Sequence, residues 1–239
     1  MKKLLSVITL ITILTGCVAQ SSLSQKPVET TETSKTNTVE MKTTGRTFKY
    51  EKLPMDLHKE NVKEVLAEAE ISFNATDSNV VYHEFQDIVT AKVVEIGVAR
   101  NYSEKKKMFV MPYSPITIKI DKVMKGSFFK TGETITIFVE GGYLPYREME
   151  KSFVEGDAKA EKTKKMLTVI DKDNTYYFEK FDGRIFPELN KKYIFHTYQD
   201  KYGVHFISGW GLSTQEINDK DTIIKSQKSV TEYFKSIQK

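Results

Sequence analysis

Two histidines near the C-terminal end of the chain are the side chains best suited to hold a metal ion. His196 and His205 flank a predicted hairpin turn, and both lie in segments with strand character. If the turn is formed by residues 200–201 or 199–202, the two imidazoles face each other across the ladder. A shift of one residue, which a bulge at Gly203 would cause, separates them. Zinc sites need at least three protein ligands, so ordinary cross-strand packing is the favoured interpretation.

A second histidine motif, His83-Glu84-Phe85-Gln86-Asp87, is similar to the first part of the helix motif of zinc proteases. Its fifth position is Asp rather than the second histidine ligand that such a site requires, and the segment precedes a predicted strand. The sequence also contains no glycine-rich phosphate loop, no nucleophile elbow and no Ser-Lys pair in a catalytic context. A non-catalytic protein is therefore the preferred class, and no catalytic residue, metal ligand or cofactor is assigned.

The only cysteine of the chain, Cys17, follows a segment typical of a bacterial export signal. Lys2 and Lys3 precede an 11-residue run, Leu4–Leu14, that is apolar apart from one serine and two threonines. This length suits a secretory signal and is too short to span a bilayer comfortably. The run ends in Leu-Thr-Gly-Cys, which resembles the lipobox of bacterial lipoproteins. The resemblance implies cleavage between Gly16 and Cys17 and a diacylglycerol on the Cys17 sulfur, which anchors the chain. An ordinary signal peptide with a chance cysteine is the alternative.

Composition divides the chain of 239 residues into three parts. Residues 1–16 are the predicted signal peptide, and their removal lowers the formal charge from +4 to +2. Within residues 20–47, 12 of 28 residues are Ser or Thr and no helical or strand period is present. Residues 17–47 are therefore predicted to be a tether between lipid and domain. Residues 48–239 are long enough for one domain with its own core, and their interspersed charges indicate no specific nucleic-acid partner.

Two helices are predicted at the two ends of this domain. The first covers residues 58–70, where apolar side chains recur at helical spacing, namely Val62, Val65, Leu66 and Ala69. The second covers residues 226–237, with one apolar stripe formed by Val230, Phe234 and Ile237.

Strand character dominates between the two predicted helices. Isoleucines at positions 116, 118 and 120 alternate with polar residues, which is the period of a half-buried strand. Val123 leaves this alternation, and this predicts a β-bulge near Asp121 or Lys122. The alternation repeats after glycine-containing turns at Ile135, Ile137 and Val139. Further strands are predicted over residues 88–99, 166–170, 175–181, 192–198 and 204–208.

Several short antiparallel strands with one or two helices favour a small closed or partly open barrel. The order of Ile116–Gly126 (ITIKIDKVMKG), Gly132–Gly142 (GETITIFVEGG) and Leu189–Phe195 (LNKKYIF) resembles a group of secreted and lipid-anchored bacterial proteins. The barrel of that group is similar to the OB-like fold of tissue inhibitors of metalloproteinases and netrin modules. Over about residues 88–210 the resemblance implies an OB-like barrel. Together with the two predicted helices, the expected fold is mainly β (α+β), an OB-like, partly open antiparallel barrel with an N-terminal and a C-terminal flanking helix. The animal inhibitors act through a disulfide-locked N-terminal cysteine that this chain lacks, so protease inhibition is not implied.

The connection between the first two barrel strands is the candidate ligand site. In OB-type barrels this loop contacts ligands, and here it covers about residues 100–113. Its aromatic and basic side chains suit an anionic polymer, by stacking and charge neutralisation. The residues assigned to this site are Arg100, Tyr102, Lys105, Lys106, Lys107, Phe109 and Tyr113. The alternative is a solvated basic hairpin tip whose aromatic residues cap the barrel, and the segment 141–146 is a second candidate contact surface.

These features predict a lipid-anchored protein of the bacterial cell surface that acts as a non-catalytic binding or assembly module. The expected partners are the membrane, through the diacylglycerol on Cys17, and an anionic envelope polymer or another surface protein. The threonine-rich tether and lysine-rich body favour a cell with a single membrane. The alternative functions are a metal-dependent or otherwise unrecognised envelope enzyme and a structural accessory of an envelope or transfer complex.

Overall fold

Strands with alternating apolar side chains form the centre of the fold. The computed structural model describes residues 38–43, 46–67, 72–104, 106–153, 171–181, 183–201 and 203–238. The predicted signal peptide, Cys17, residues 17–37 of the predicted tether, the predicted strand at 166–170 and Lys105 lie outside the described residues.

The strands and helices are numbered in chain order. The strands are β1 (Thr38–Thr43), β2 (Arg46–Glu51), β3 (Val62–Ala67), β4 (Asp87–Ile96), β5 (Arg100–Ser103), β6 (Met108–Lys125), β7 (Thr134–Glu140), β8 (Gly142–Pro145), β9 (Tyr176–Phe181), β10 (Lys192–Gln199), β11 (His205–Ile207) and β12 (Thr214–Ile217). The helices are α1 (Ser78–Glu84), α2 (Tyr146–Lys151) and α3 (Val230–Ile237), with 3₁₀ turns at Lys59–Asn61 and Gly211–Ser213.

Five strands close into a barrel, so the fold is mainly β as predicted. β4 pairs with β6 and β10, β6 with β7, and β10 with β11, all antiparallel. The parallel pair of β7 and β11 completes the ring. The barrel is therefore closed, whereas the sequence predicts a partly open one, because the short β11 pairs with a neighbour on each side. Its core contains Val89, Ala91, Val93, Ile96, Ile116, Ile118, Ile120, Phe129, Ile137, Val139, Tyr193, Phe195 and Ile207.

The register of β6 confirms the predicted bulge. Ile120 pairs with Ala91, whereas the next pair joins Lys122 to Thr90, so β6 accommodates one extra residue, Asp121. An extra residue reverses the alternation of side chains along a strand. Val123, the residue after Lys122, therefore still packs against the barrel core.

The helix predicted over residues 58–70 is wrong for its described part, residues 58–67, and Ala69 lies outside the described residues. A 3₁₀ turn is followed there by β3, which pairs in parallel with β9 and forms a three-stranded sheet with β9 and β8. Val62 and Val65 are β-branched and suit an extended strand. Val65 packs against the cluster that contains Leu144 and Met149, so the strand buries an apolar side chain that the helix was expected to bury.

Helix α3 covers the outer face of the barrel. The hydroxyl of Ser229 accepts a hydrogen bond from the Glu232 N–H at 3.2 Å, and the Glu232 carboxylate accepts one from the Ser229 N–H at 2.9 Å. This capping box places the start of the helix at Val230, later than the predicted residue 226. Its buried residues pack against Ile88, Ile194, Ile217 and Ile223. Within the described ranges, no helix combines the length and the apolar character needed to cross a membrane.

The hairpin of β1 and β2 leads the chain onto the barrel. Its strands comprise residues 38–43 and 46–51 and thus include the end of the segment that composition assigns to the tether. After β2, the N–H of Leu53 donates to the Ile96 carbonyl at 2.9 Å, and the N–H of Val98 donates to the Glu51 carbonyl at 2.7 Å. These bonds hold residues 52–57 beside the end of β4.

Candidate functional site

The residues predicted to bind a ligand lie on a β-hairpin that projects from the barrel. Arg100 and Tyr102 are on β5, and Phe109 and Tyr113 are on the first part of β6. β6 is 18 residues long, and it pairs with β7 only from Tyr113 onward. The pairing of β5 with β6 therefore extends beyond the barrel wall.

Lys106 and Lys107 lie at the tip of this hairpin and are exposed. The Lys106 N–H donates to Ser103 Oγ at 3.2 Å, and the Lys107 Nζ donates to Glu104 Oε2 at 2.9 Å. Lys107 has a φ of 52°, the left-handed conformation that tight turns use. The hydrogen bond to Glu104 raises the pKa of Lys107, so this lysine is charged at neutral pH. The remaining lysine of the predicted set, Lys105, is outside the described residues.

The aromatic side chains of the predicted site separate into two groups. Tyr113 packs edge-on against Phe138, with 5.6 Å between ring centroids, and burial raises its pKa. Tyr113 therefore belongs to the barrel wall. This agrees with the alternative interpretation, in which the aromatic residues of the hairpin cap the barrel. Tyr102 and Phe109 instead contact each other across the hairpin at 5.2 Å, and Phe109 is 39% exposed. The structure thus places these two rings, but not Tyr113, near the basic tip.

Exposed apolar side chains are concentrated at two places on the molecule. Among the described residues, eight large apolar side chains have more than a third of their surface exposed. Three are on the hairpin, namely Met108, Phe109 and Met111. Four line a single cleft, namely Met55, Val94, Ile185 and Leu189. The eighth is Ile224. Because clustered apolar surface marks interaction sites, the hairpin and the cleft are the two candidate contact regions.

The cleft has a volume of about 700 Å³ and lies beside the end of β4. Its walls come from loops 52–57 and 184–189 and from an aromatic cluster. In this cluster Tyr143 stacks on Phe178 at 4.6 Å, and Phe186 meets both rings edge-on at 6.0 and 5.4 Å. Tyr143 belongs to the segment 141–146, the second predicted contact surface, of which residues 142–145 form β8.

A partly buried ion pair joins the cleft to a smaller cavity of about 320 Å³. Arg184 Nη2 donates to Glu140 Oε2 at 3.0 Å, and the Tyr198 hydroxyl donates to the other carboxylate oxygen at 3.4 Å. The guanidinium lies 5.3 Å from the centre of the Trp210 ring. Burial lowers the pKa of Arg184, and Glu140 opposes this effect. Arg184 and Glu140 line both spaces, so the cleft and the cavity meet at this pair.

The charged side chains that line the cleft are mostly acidic. They are Glu95, Glu140, Glu179 and Glu188, against Lys52 and Arg184. Lys52 pairs with Glu95, whose carboxylate also accepts a hydrogen bond from the Tyr50 hydroxyl at 2.5 Å. Four carboxylates and two cations give the lining a formal charge of −2, which is opposite in sign to the lysine-bearing tip of the hairpin.

The two histidines considered as metal ligands are not cross-strand neighbours. β11 is displaced by three residues from the register that would align them. Gln199 pairs with His205, and the Ser208 N–H donates to the His196 carbonyl at 3.0 Å. Gly203, with a φ of 79°, lies in the turn that sets this register.

Each histidine has its own apolar surroundings. His196 Nδ1 donates to the Ser213 carbonyl at 2.8 Å, and burial lowers its pKa to about 4. The His205 ring stacks on the Phe128 ring, with 3.4 Å between the ring centroids, and burial lowers the pKa of His205 as well. In the part of the chain that the structure describes, no three His, Cys, Asp or Glu side chains are grouped to hold a metal ion.

The motif similar to the zinc-protease helix is divided between two elements. His83 and Glu84 end helix α1, whereas Asp87 begins β4. The motif therefore does not lie on one helix. This agrees with the interpretation that its similarity to the zinc-protease motif is due to chance.

The cleft could not be predicted from the sequence, because its lining comes from five separate segments. The carboxylate of Glu140 and the guanidinium of Arg184 are 44 positions apart, and neither belongs to a local motif. The one local signal is the run Ile185–Leu189, a loop between two strands that contains three large apolar residues. Comparison of the chain with models of protein families, with curated proteins and with solved structures found no match.

Proposed function

We propose that this protein is a lipid-anchored, non-catalytic binding or assembly module of the bacterial cell surface, built on an OB-like barrel. The observation that carries the proposal is the projecting hairpin of β5 and β6. Its tip combines two charged lysines with exposed apolar side chains, and such a surface is suited to contact a partner.

The order of strands around the barrel supports an OB-like scaffold. The ring runs β4, β6, β7, β11 and β10, and one parallel pair lies between antiparallel pairs. OB-type barrels use the loop between their first two strands to bind ligands. In this chain that loop contains β5 and the hairpin tip.

The lipobox-like segment supports attachment to a membrane. Two acyl chains on Cys17 would contribute roughly 0.8 kcal/mol per buried methylene, enough for stable anchoring. Replacement of Cys17 by Ala should then abolish incorporation of a labelled fatty acid and release the protein from the membrane fraction. Unchanged labelling would contradict the anchor without affecting the proposal for the hairpin.

The chemistry of the hairpin tip favours an anionic partner. Lys106 and Lys107 supply positive charge, and Phe109 and Met108 supply apolar surface beside it. An anionic envelope polymer or the acidic face of a surface protein would meet both requirements, because charge attraction guides the encounter and apolar contact prolongs it. The metal-dependent form of the enzyme alternative rested on the pairing of His196 with His205, which the register of β11 separates.

Cross-linking on intact cells, with partners identified by mass spectrometry, tests the hairpin. The wild-type chain is compared with the double variant Lys106→Glu, Lys107→Glu. A matched control, Lys225→Glu with Lys228→Glu, makes the same change of charge at two exposed lysines elsewhere. We expect a discrete partner to be lost in the hairpin variant and retained in the control. Equal recovery from all three chains would contradict the proposal.

A further inference from the structure

We propose that the hairpin tip of one molecule inserts into the cleft of a second copy of this chain, so that the molecules join head to tail. The inference rests on the proposed function, in which the hairpin contacts a partner, and it names that partner. The donor surface is the hairpin tip with Lys106, Lys107, Met108, Phe109 and Met111. The acceptor surface is the cleft beside the end of β4.

The apolar surfaces of the two regions match each other. Seven of the eight exposed large apolar side chains among the described residues belong to the hairpin or to the cleft. The cleft, at about 700 Å³, has room for several side chains of the size presented by the hairpin. Insertion would remove both sets from water together, which is the main driving force of association.

The charges of the two regions are complementary. The cleft lining carries four carboxylates and two cations, whereas the tip presents two exposed lysines and one glutamate, Glu104. The Glu188 side chain is 66% exposed, and its carboxylate pairs with Lys191 Nζ at 3.0 Å, so the cleft and this neighbouring lysine together have a formal charge of −1. Attraction between opposite charges guides the two surfaces together, and like charges disfavour both tip-to-tip and cleft-to-cleft contacts.

No described residue of the hairpin tip lines the cleft of its own molecule. Tyr113 pairs with Glu140, which lines the cleft, and β6 runs from there away from the barrel to Met108. Five residues of extended strand place the tip roughly 16 Å beyond that point. The hairpin is therefore presented to another molecule.

Contact between two different surfaces has a consequence for the assembly. Each molecule offers one hairpin and one cleft, so the contact is heterologous and can continue from molecule to molecule. Chains or closed rings follow, according to the rotation between neighbours. Molecules held on one membrane by a tether would be confined to a layer, in which such contacts are favoured by a high local concentration.

The test uses two variants that each remove one of the two surfaces. The hairpin variant is Lys106→Glu with Lys107→Glu, and the cleft variant is Ile185→Lys with Leu189→Lys. All four positions are exposed, so both variants should keep the melting temperature of the parent chain. The full chain with Cys17→Ala is the common parent, so no lipid contributes. Sedimentation velocity then reports the size of the particles at rising concentration.

We expect the parent chain to form species larger than a dimer, and each variant alone to associate at least about tenfold more weakly. An equimolar mixture of the two variants should form dimers and nothing larger, because one intact hairpin and one intact cleft remain. High salt should weaken both assemblies. A parent chain that stays monomeric, or a mixture that forms no dimer, would overturn the inference. If the parent is monomeric while the hairpin variant still loses its partner on cells, the proposed function stands. If the hairpin variant changes neither the size of the particles in sedimentation nor the recovery of a partner on cells, both the inference and the proposed function fail.

Discussion

The hairpin and the cleft differ in how the chain builds them. The hairpin is continuous in sequence, and it is held by the pairing of β5 with β6 and the contact of Tyr102 with Phe109. The cleft is assembled from segments far apart in the chain and rests on the barrel core, the three-stranded sheet and the Glu140–Arg184 pair. The contrast shows that two surfaces that both expose apolar side chains can depend on folding to very different extents.

This difference has a measurable consequence. Changes to the residues that support the cleft should lower the free energy of unfolding, because they alter buried contacts. Changes at the hairpin tip should affect binding and leave stability almost unchanged, because the side chains there are exposed.

Substitution of Gly142 by Ala should lower the stability most, by about 4 kcal/mol. Gly142 has a φ of 108°, and a Cβ there would overlap the buried Ser114 Oγ, which donates to the Gly141 carbonyl. Gly142 also precedes Tyr143 of the cleft wall. Gly132→Ala is the matched control, because Gly132 has a φ of 82° and no atom within 4 Å of the added Cβ. For the control, we expect the free energy of unfolding measured in urea to fall by about 1 kcal/mol. Equal losses would show that the crowding at Gly142 is unimportant.

Acid should destabilise the protein through His196, which contacts Phe85 at the wall of the smaller cavity. Burial lowers its pKa from 6.5 to about 4, so the fold favours the neutral ring. The stabilising contribution is complete above pH 6.5 and is lost as the pH falls from 6.5 to about 4, because the unfolded chain then binds the additional proton. The loss is roughly 3 kcal/mol.

The variant His196→Asn isolates this contribution. The asparagine amide can donate to the Ser213 carbonyl as Nδ1 does, but it does not titrate. Urea unfolding at pH 7.5 and 4.5 should show a smaller loss for the variant than for the wild type. His205 is unchanged in both proteins, so its own titration cancels in the comparison. If the wild type and the variant lose the same stability between pH 7.5 and 4.5, His196 has no role in the acid destabilisation.

Replacement of Glu140 by Gln should lower the stability by about 2 kcal/mol. The substitution removes the charge that faces the buried Arg184 guanidinium. The effect is smaller than for a fully buried pair because the Glu140 side chain is 38% exposed. Glu148→Gln is the control, since its ion pair with Lys151 is exposed, and we expect less than about 0.5 kcal/mol for it. Urea unfolding compares the two, and equal effects would indicate that Arg184 does not need Glu140.

The smallest effect on stability is expected for Lys106→Glu with Lys107→Glu, because both lysines are exposed. The ion pair of Lys107 with Glu104 is exposed at both ends, so its loss should hardly change the melting temperature. The same variant should nevertheless lose the partner of the hairpin. A large fall in the melting temperature would show that the tip has a structural role.

The barrel strands could be predicted because their signals are local. The alternation of Ile116, Ile118 and Ile120 identifies the inner face of β6, and the displaced Val123 identifies the bulge. The stripe that ends at Ile237 likewise identifies the buried side of α3. Such patterns follow from burial of one face of a single element, so they need no information about distant parts of the chain.

Other features depend on partners that the local sequence does not reveal. The spacing of Val62 and Val65 fits a helix, but pairing with β9 selects a strand. The register of β11 is set by both of its neighbours, and this separates His196 from His205. The hairpin could be recognised as a candidate site from its composition. The cleft could not, because its lining exists only after the barrel has closed.

The central claim is that the hairpin of one molecule occupies the cleft of another. The most direct test is carbodiimide cross-linking of amines to carboxylates in an equal mixture of ¹⁴N- and ¹⁵N-labelled protein, followed by mass spectrometry. We predict peptides of mixed isotope composition that join Lys106 or Lys107 to Glu179 or Glu188. A cross-link of Lys107 to Glu104, its ion-pair partner in the same molecule, is expected in any case. Apart from that link, cross-links of these lysines that are confined to peptides of one isotope, or that join them to carboxylates outside the cleft, would contradict the claim.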